Sequence, residues 1–145
     1  METSSNIQLA VPFFRVLNME ASLQFYVDKL GFTAINKWMP HDKIEWCWLQ
    51  RDGVSIMLQE LHNKEQYKET EKGKGVSICF QCKDALSLYH EFLANNINIQ
   101  EPFVGNHMWV VCFTDPDGYC LDFESSTGVP EGTNYSEWVK RNEAG

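Results

Sequence analysis

Apolar positions along this chain fall into two spacings, one of period two and one of helical period, and together they predict eight strands and two main helices. Leu9 to Val16 (LAVPFFRV) is a short run of aromatic and branched residues and reads as a strand, with Pro12 marking a side that lacks a ladder partner. Asn18 is a good N-cap. Met19, Leu23, Tyr26, Val27 and Leu30 then recur at helical spacing up to Gly31, a residue type favoured just past a helix end. Three strands follow, Thr33 to Trp38, Glu45 to Arg51 and Val54 to Glu60. The last two are joined by Asp52 and Gly53, a pair that favours tight hairpins. The first half reads βαβββ.

Leu61 to Gly75 (LHNKEQYKETEKGKG) is dense in charge, has no sustained apolar period and reads as a solvated linker or lid. Beyond it the pattern returns. Val76 to Gln81 reads as a strand, Ala85, Leu88, Tyr89, Phe92 and Leu93 as a helix, and Ile97 to Phe103, Met108 to Thr114 and Tyr119 to Glu124 as strands, the last two joined at Asp115-Pro116-Asp117-Gly118. The halves superpose as sequences. A shift of 65 places Val11 on Val76, Asp52-Gly53 on Asp117-Gly118, Met57 on Asp122 and Gln59 on Glu124; a shift of 63 within the helices places Leu23 on Leu86 and Tyr26 on Tyr89. The expected fold is therefore α+β: two βαβββ modules, about 7–61 and 75–126 with linker 62–74, form one domain over 1–126. Their helices lie outside and their curved sheets share a ligand cleft. Residues 127–145 form a tail with a short helix-like segment, YSEWVKRN, anchored through Trp138 on the body or on a second subunit.

Composition narrows the partners. The 12 Lys+Arg against 20 Asp+Glu give a formal charge of -8, which argues against nucleic acid and anionic membranes, since both select a basic footprint. No apolar run approaches the roughly 18 residues of a spanning helix, and METSSNIQLA has neither the basic nor the apolar region of a secretion signal, so a cytoplasmic protein is expected. The five cysteines, Cys47, Cys79, Cys82, Cys112 and Cys120, are an odd number set among apolar neighbours, as reduced core cysteines are. Cys79 and Cys82 are formally CxxC, but strand alternation sends them to opposite faces.

Two stretches carry a resemblance. FFRVLNMEASLQFYVDKLGF (residues 13 to 32) and FTDPDGYCLDFES (residues 113 to 125) are similar to the strand-helix and turn-strand motifs of the vicinal oxygen chelate superfamily, which includes glyoxalase I, bleomycin-resistance proteins, fosfomycin-resistance enzymes and extradiol dioxygenases. The resemblance covers about residues 7 to 126. It implies the paired-module fold, a homodimer in which both subunits sometimes contribute cleft strands, and, in the metalloenzymes, one ligand from the first and last strand of each module. Carried onto this chain those positions are Val11, Met57, Val76 and Asp122. A single carboxylate is too few ligands for a catalytic divalent ion, so no metal and no other cofactor is expected. His41, His62, His90 and His107 show no HxH or HExxH spacing.

The remaining candidates surround the expected cleft. Trp46 and Trp48 share a strand face and, with Phe13, Trp109 and Phe113, form either an aromatic wall for a planar or cationic ligand or ordinary core. Asp122 and Glu124 share the face of Cys120; they bind a cation, supply a general base, or pair with Arg15. In glyoxalase I-like proteins an Arg at the position of Arg15 holds a substrate carboxylate, which favours an anionic ligand instead. Among Glu45, Gln50, Gln59 and Glu60, Gln59 is the chosen ligand contact, because the repeat pairs it with Glu124. The leading expectation is a metal-independent small-molecule-binding protein of the bleomycin-resistance kind, its ligand contacted by Phe13, Arg15, Trp46, Trp48, Met57, Gln59, Trp109, Asp122 and Glu124. The alternative is a lyase, isomerase or dioxygenase of the glyoxalase I type with Asp122, Glu124 and His107 as its catalytic residues, and a third is an assembly module whose cleft is filled by its own aromatics.

Overall fold

The computed structural model describes residues 6–64 and 73–144, so most of the expected linker or lid, residues 65–72, lies outside the described residues. Strand β1 (Phe13–Val16) pairs parallel with β4 (Val54–Glu60), which pairs antiparallel with β3 (Trp46–Arg51), itself antiparallel to β2 (Thr33–Trp38). The second sheet repeats this order with β5 (Ser77–Gln81), β8 (Cys120–Ser126), β7 (Met108–Thr114) and β6 (Phe103–Gly105). In each module a helix crosses between the first strand and the remaining three. The fold is α+β and consists of two βαβββ modules, as the pattern predicts.

Two strands depart from the predicted bounds. The first strand starts at Phe13 rather than Leu9. The expected strand over Ile97 to Phe103 shrinks to Phe103–Gly105, because the fully buried Pro102 has no N–H to give a ladder. The outer edge of β6 is then closed by the tail: Val104 N–H donates to the Thr133 carbonyl, Gly132 N–H to that of Val104, and Tyr135 N–H to that of Pro102. Helix α3 (Tyr135–Ala144) follows, and its Trp138 lies 5.5 Å from the Trp109 ring, so the tail is anchored on the body of its own chain.

The helices correct the repeat. Asn18 and Asp84 are both N-caps, each accepting a hydrogen bond from the N–H three residues on, and they stand 66 apart rather than 63. The counterpart of Tyr26 is therefore Phe92, not Tyr89, and both are completely buried. At the far end the caps Leu30 and Asn95 are 65 apart, so the first helix is one residue longer. It takes up that residue by passing from α1 (Met19–Leu23) into a π-helical stretch (Gln24–Lys29), where α2 (Ala85–Ala94) stays regular. The first strands shift likewise. Phe13 pairs with Met57 and Cys79 with Asp122, so Val11 corresponds to Ser77, and Val76 turns to the opposite face.

One core unites the modules. The inner sides of both helices meet the helix-bearing faces of both sheets, with Phe25 of the first helix edge-on to Phe113 of β7 and Phe32 edge-on to Phe80 of β5. Burial of each such ring contributes about 1.5–3 kcal/mol. Polar clamps flank these rings. Tyr26 O–H donates to Asp115 Oδ2 at 2.7 Å, and Arg51 donates to both Glu91 oxygens, at 2.8 and 3.0 Å, and to the Leu30 carbonyl at 2.6 Å.

Candidate functional site

Strand alternation that sends Phe14, Val16, Cys47, Leu49, Ile56 and Leu58 to the core sends their neighbours to the other face of the first sheet. Register then arranges that face in rows. Arg15, Gln59, Trp46 and Trp38 lie side by side across the four strands, and Phe13, Met57, Trp48 and Asn36 form the next row. The face is open: Phe13 is 41% exposed and Trp38 49%. The Arg15 guanidinium lies 4.2 Å from the Phe13 ring centroid, a cation over an aromatic face, and Arg15 makes no ion pair among the described residues.

The equivalent face of the second sheet has different chemistry. One row runs Gln81, Glu124, Val110 and Phe103; the next runs Cys79, Asp122 and Cys112. Gln81 Nε2 donates to Glu124 Oε1 at 2.9 Å, and the Cys79 thiol donates to Asp122 Oδ2 at 3.7 Å. Asp122 is also hydrogen-bonded by Cys112 on its other side. Burial, and then the hydrogen bond and charge of Asp122, push the Cys112 thiol up although the residue is surface-exposed; burial followed by the charges of Glu124 and Asp122 does the same to Cys79. These are protonated, weakly nucleophilic thiols. Cys82, partly buried toward the core, donates to the Phe80 carbonyl, so the CxxC pair does point to opposite faces.

The two faces together carry Phe13, Arg15, Trp46, Trp48, Met57 and Gln59 on one sheet and Asp122 and Glu124 on the other. No hydrogen bond, ion pair or ring contact between described residues joins one face to the other, so Arg15 does not pair with either acid. Trp109 is a correction: it is only 4% exposed, lies on the core side of β7 and packs under Tyr135 and Trp138 instead of lining a ligand wall. Phe113 is likewise core, ringed by Phe25, Phe92 and Phe123. His107 sits on the β6–β7 turn with φ 63°, and its N–H is held by Glu131. Five residues along the strand from Cys112, it stands about 16 Å from the Asp122 row. The constellation of Asp122, Glu124 and His107 is not assembled in the chain. Glu45 is buried at the end of β3 against His41, at 2.6 Å. Trp38, Asn36, Cys79, Gln81 and Cys112 join the faces unannounced, because only cross-strand register places them there.

At the four positions where metalloenzymes of this architecture place ligands, the corrected register gives Val11, Met57, Ser77 and Asp122. One carboxylate and one hydroxyl do not fit the three or more nitrogen or oxygen donors that a catalytic divalent ion needs. Among the described residues no three His, Cys, Asp or Glu side chains converge to hold an ion. No helix among them is long and apolar enough to cross a membrane.

Paired βαβββ modules, each a four-stranded mixed sheet with a helix on one side, define the class of fold. Residues 8–123 match the model of the Glyoxalase/Bleomycin resistance protein/Dioxygenase superfamily, and the chain belongs to it. No curated protein matches the sequence. Among solved structures, the bleomycin-binding protein of Streptomyces verticillus, complexed with copper(II)-bleomycin, superposes with a TM-score of 0.63 at 15% identity, covering 86% of this chain and 100% of that one. A bleomycin resistance determinant encoded on the transposon Tn5 gives 0.66 at 19% identity over 83% and 98%. A glyoxalase-related enzyme from Fulvimarina pelagi gives 0.62 at 16% over 88% and 96%. These likenesses establish the fold.

Proposed function

We propose that the protein binds a small aromatic or cationic molecule without a metal ion, as a homodimer in which the aromatic face of one copy closes over the acidic face of the other. The observation that carries this reading is the chemistry of the two faces. One bears three exposed or half-buried indoles, Phe13 and one cation; the other bears Asp122 and Glu124, and neither is covered by the described residues. The donor-poor set of Val11, Met57, Ser77 and Asp122 supports a binding role over Lewis-acid catalysis. Bleomycin-binding proteins share the fold, so metal-free bleomycin is a suitable first ligand.

The test pairs two titrations of chelator-stripped protein. Calorimetry with Ni²⁺, Zn²⁺, Mn²⁺ and Fe²⁺ should show no stoichiometric tight binding, and titration with bleomycin should quench tryptophan emission saturably, an effect weakened at least about tenfold in Trp48→Ala. Tight stoichiometric metal binding would transfer the site to the glyoxalase- or dioxygenase-type reading. Size-exclusion chromatography at a mass near 16.8 kDa would remove the dimer.

A further inference from the structure

The two modules are covered unequally on their helix-bearing sides. In the second, the start of α3 lies against helix and sheet together: Tyr135 stands edge-on to Tyr89 at 5.4 Å and to Trp109 at 6.0 Å, and its hydroxyl is 3.0 Å from His90 Nε2. The offset between the N-caps Asn18 and Asp84 places Leu23 where Tyr89 stands and Gln24 where His90 stands. Strand pairing places Glu45 where Trp109 stands. In the first module His41, from the loop before β3, closes only the Glu45 part of this seat, at 2.6 Å. The part beside Leu23 and Gln24 is a groove of about 500 Å³.

This groove lies between the first helix and the edge strand β2. Its apolar lining is Leu23, Val27, Ala34 and Ile44, all half-buried and packed on the shared core. Glu20, Gln24 and Asp28 stand one turn apart on the helix wall, and Lys37 stands on the strand wall. Glu20, Asp28 and Lys37 make no ion pair among the described residues. The π-helical stretch supplies Gln24, Val27 and Asp28, so the residue by which the first helix exceeds α2 is taken up along this wall. An added strand does not suit the place, because β2 breaks register between Ala34 and Asn36. A helix does, as the twin seat shows.

We infer that the groove docks an amphipathic helix of another protein, one that lays an aromatic or large apolar stripe on Leu23 and Val27. Basic residues one turn apart on one flank of that helix meet Glu20 and Asp28, and an acidic residue on the other flank meets Lys37. Three observations select this chemistry. The twin seat already holds an aromatic side chain of a helix, the two walls carry opposite charge, and the chain's net charge of -8 draws a basic partner. The groove is on the helix-bearing side of the first sheet, away from the open faces, so the inference does not rest on what those faces bind.

The probe is the free peptide of residues 134–144 (NYSEWVKRNEA) carrying Glu137→Lys. As a helix it presents Tyr135, Trp138 and Val139 as one stripe, with Arg141 and the new lysine on one flank and Glu143 on the other. Titrated into the full chain, it should give saturable amide shifts centred on Leu23, Gln24, Val27, Ala34 and Ile44. A Kd of about 0.1–1 mM is expected, because so short a helix must order on binding. The unsubstituted peptide, with Glu137 against the acidic wall, should bind at least about threefold more weakly, and Asp28→Lys should weaken the probe at least about fivefold. Asp28→Lys should fold, since a lysine in the last turn suits the helix dipole. Five results would each overturn the site: no saturable shift; shifts centred on Tyr89, His90 and Val104, where the peptide would be displacing α3; shifts centred on Trp46 and Trp48; equal binding by both peptides; or unchanged binding by a folded Asp28→Lys. The same shifts produced by benzylamine at the same concentration would assign the groove to a small cation instead, and the same shifts produced by raising the chain's own concentration would assign it to a second copy.

Discussion

Tyr26 and Asp115 show how a single contact joins the two modules. Asp115 is 4% exposed, and its Oδ1 is satisfied by the N–H groups of Asp117 and Tyr119, which leaves Oδ2 to the Tyr26 hydroxyl. Burial holds the Asp115 carboxyl above its ordinary range, even though these donors favour the charged form. The folded chain therefore binds this proton more tightly than the unfolded chain does. The Asp115 contribution to stability is greatest below the ordinary carboxylate pKa and is lost as the pH rises through the raised folded value. Tyr26→Phe strips the donor from Oδ2, so urea denaturation should show a loss of about 1–3 kcal/mol at pH 7. The deficit should shrink toward pH 3, where the carboxyl is neutral; an equal deficit at both values would show that the hydroxyl is not stabilising a charge.

Among the elements, β2 and β4 have the bounds that alternation and the Asp-Gly turn predict, because each is delimited by local chemistry. The helix repeat was less legible. Apolar residues recur every three or four positions, so a shift of 63 matches nearly as many of them as 66 does, and only the pair of N-caps, Asn18 and Asp84, fixes the register. In β5 the alternation of Ser77, Cys79 and Gln81 with Ile78 and Phe80 is present in the sequence, but the apolar likeness of Val11 to Val76 points to the other register. Trp109 and Phe113 could be assigned a common face but not which face was core, since that depends on α3 and on the other module. Gly31, at the end of the first helix, gives an element-level prediction. Its φ is +80°, and a Cβ there would stand 2.9 Å from Arg51 Nη1, whereas Gly53, with φ +82°, has open space around it. Gly53→Ala should cost about 1–2 kcal/mol for the left-handed backbone alone. Gly31→Ala should cost more, by the displacement of the Arg51–Glu91 clamp; equal midpoints in denaturant would show the clamp to be unaffected.

At the scale of the molecule, the second sheet depends on the tail more than the first does. The edge of β2 carries a register break between Ala34 and Asn36, and exposed Asn36 and Lys37, features that discourage pairing with another chain. The short β6 has its outer edge occupied by residues 132–134, while Trp109 is covered by Tyr135 and Trp138. A chain ending at residue 128 should therefore expose both an unpaired edge and a core indole. Its light scattering should rise with concentration at 37 °C while the full chain stays clear; equally clear solutions would show the edge to be harmless.

The arrangement also has a direction in time. The chain is synthesised from its N-terminus, so the sheet whose edge is protected by its own bulge and lysine is available to form first. The sheet that borrows its protection stays unfinished until residues 132–134 have emerged. The interval ends when Thr133 reaches Val104.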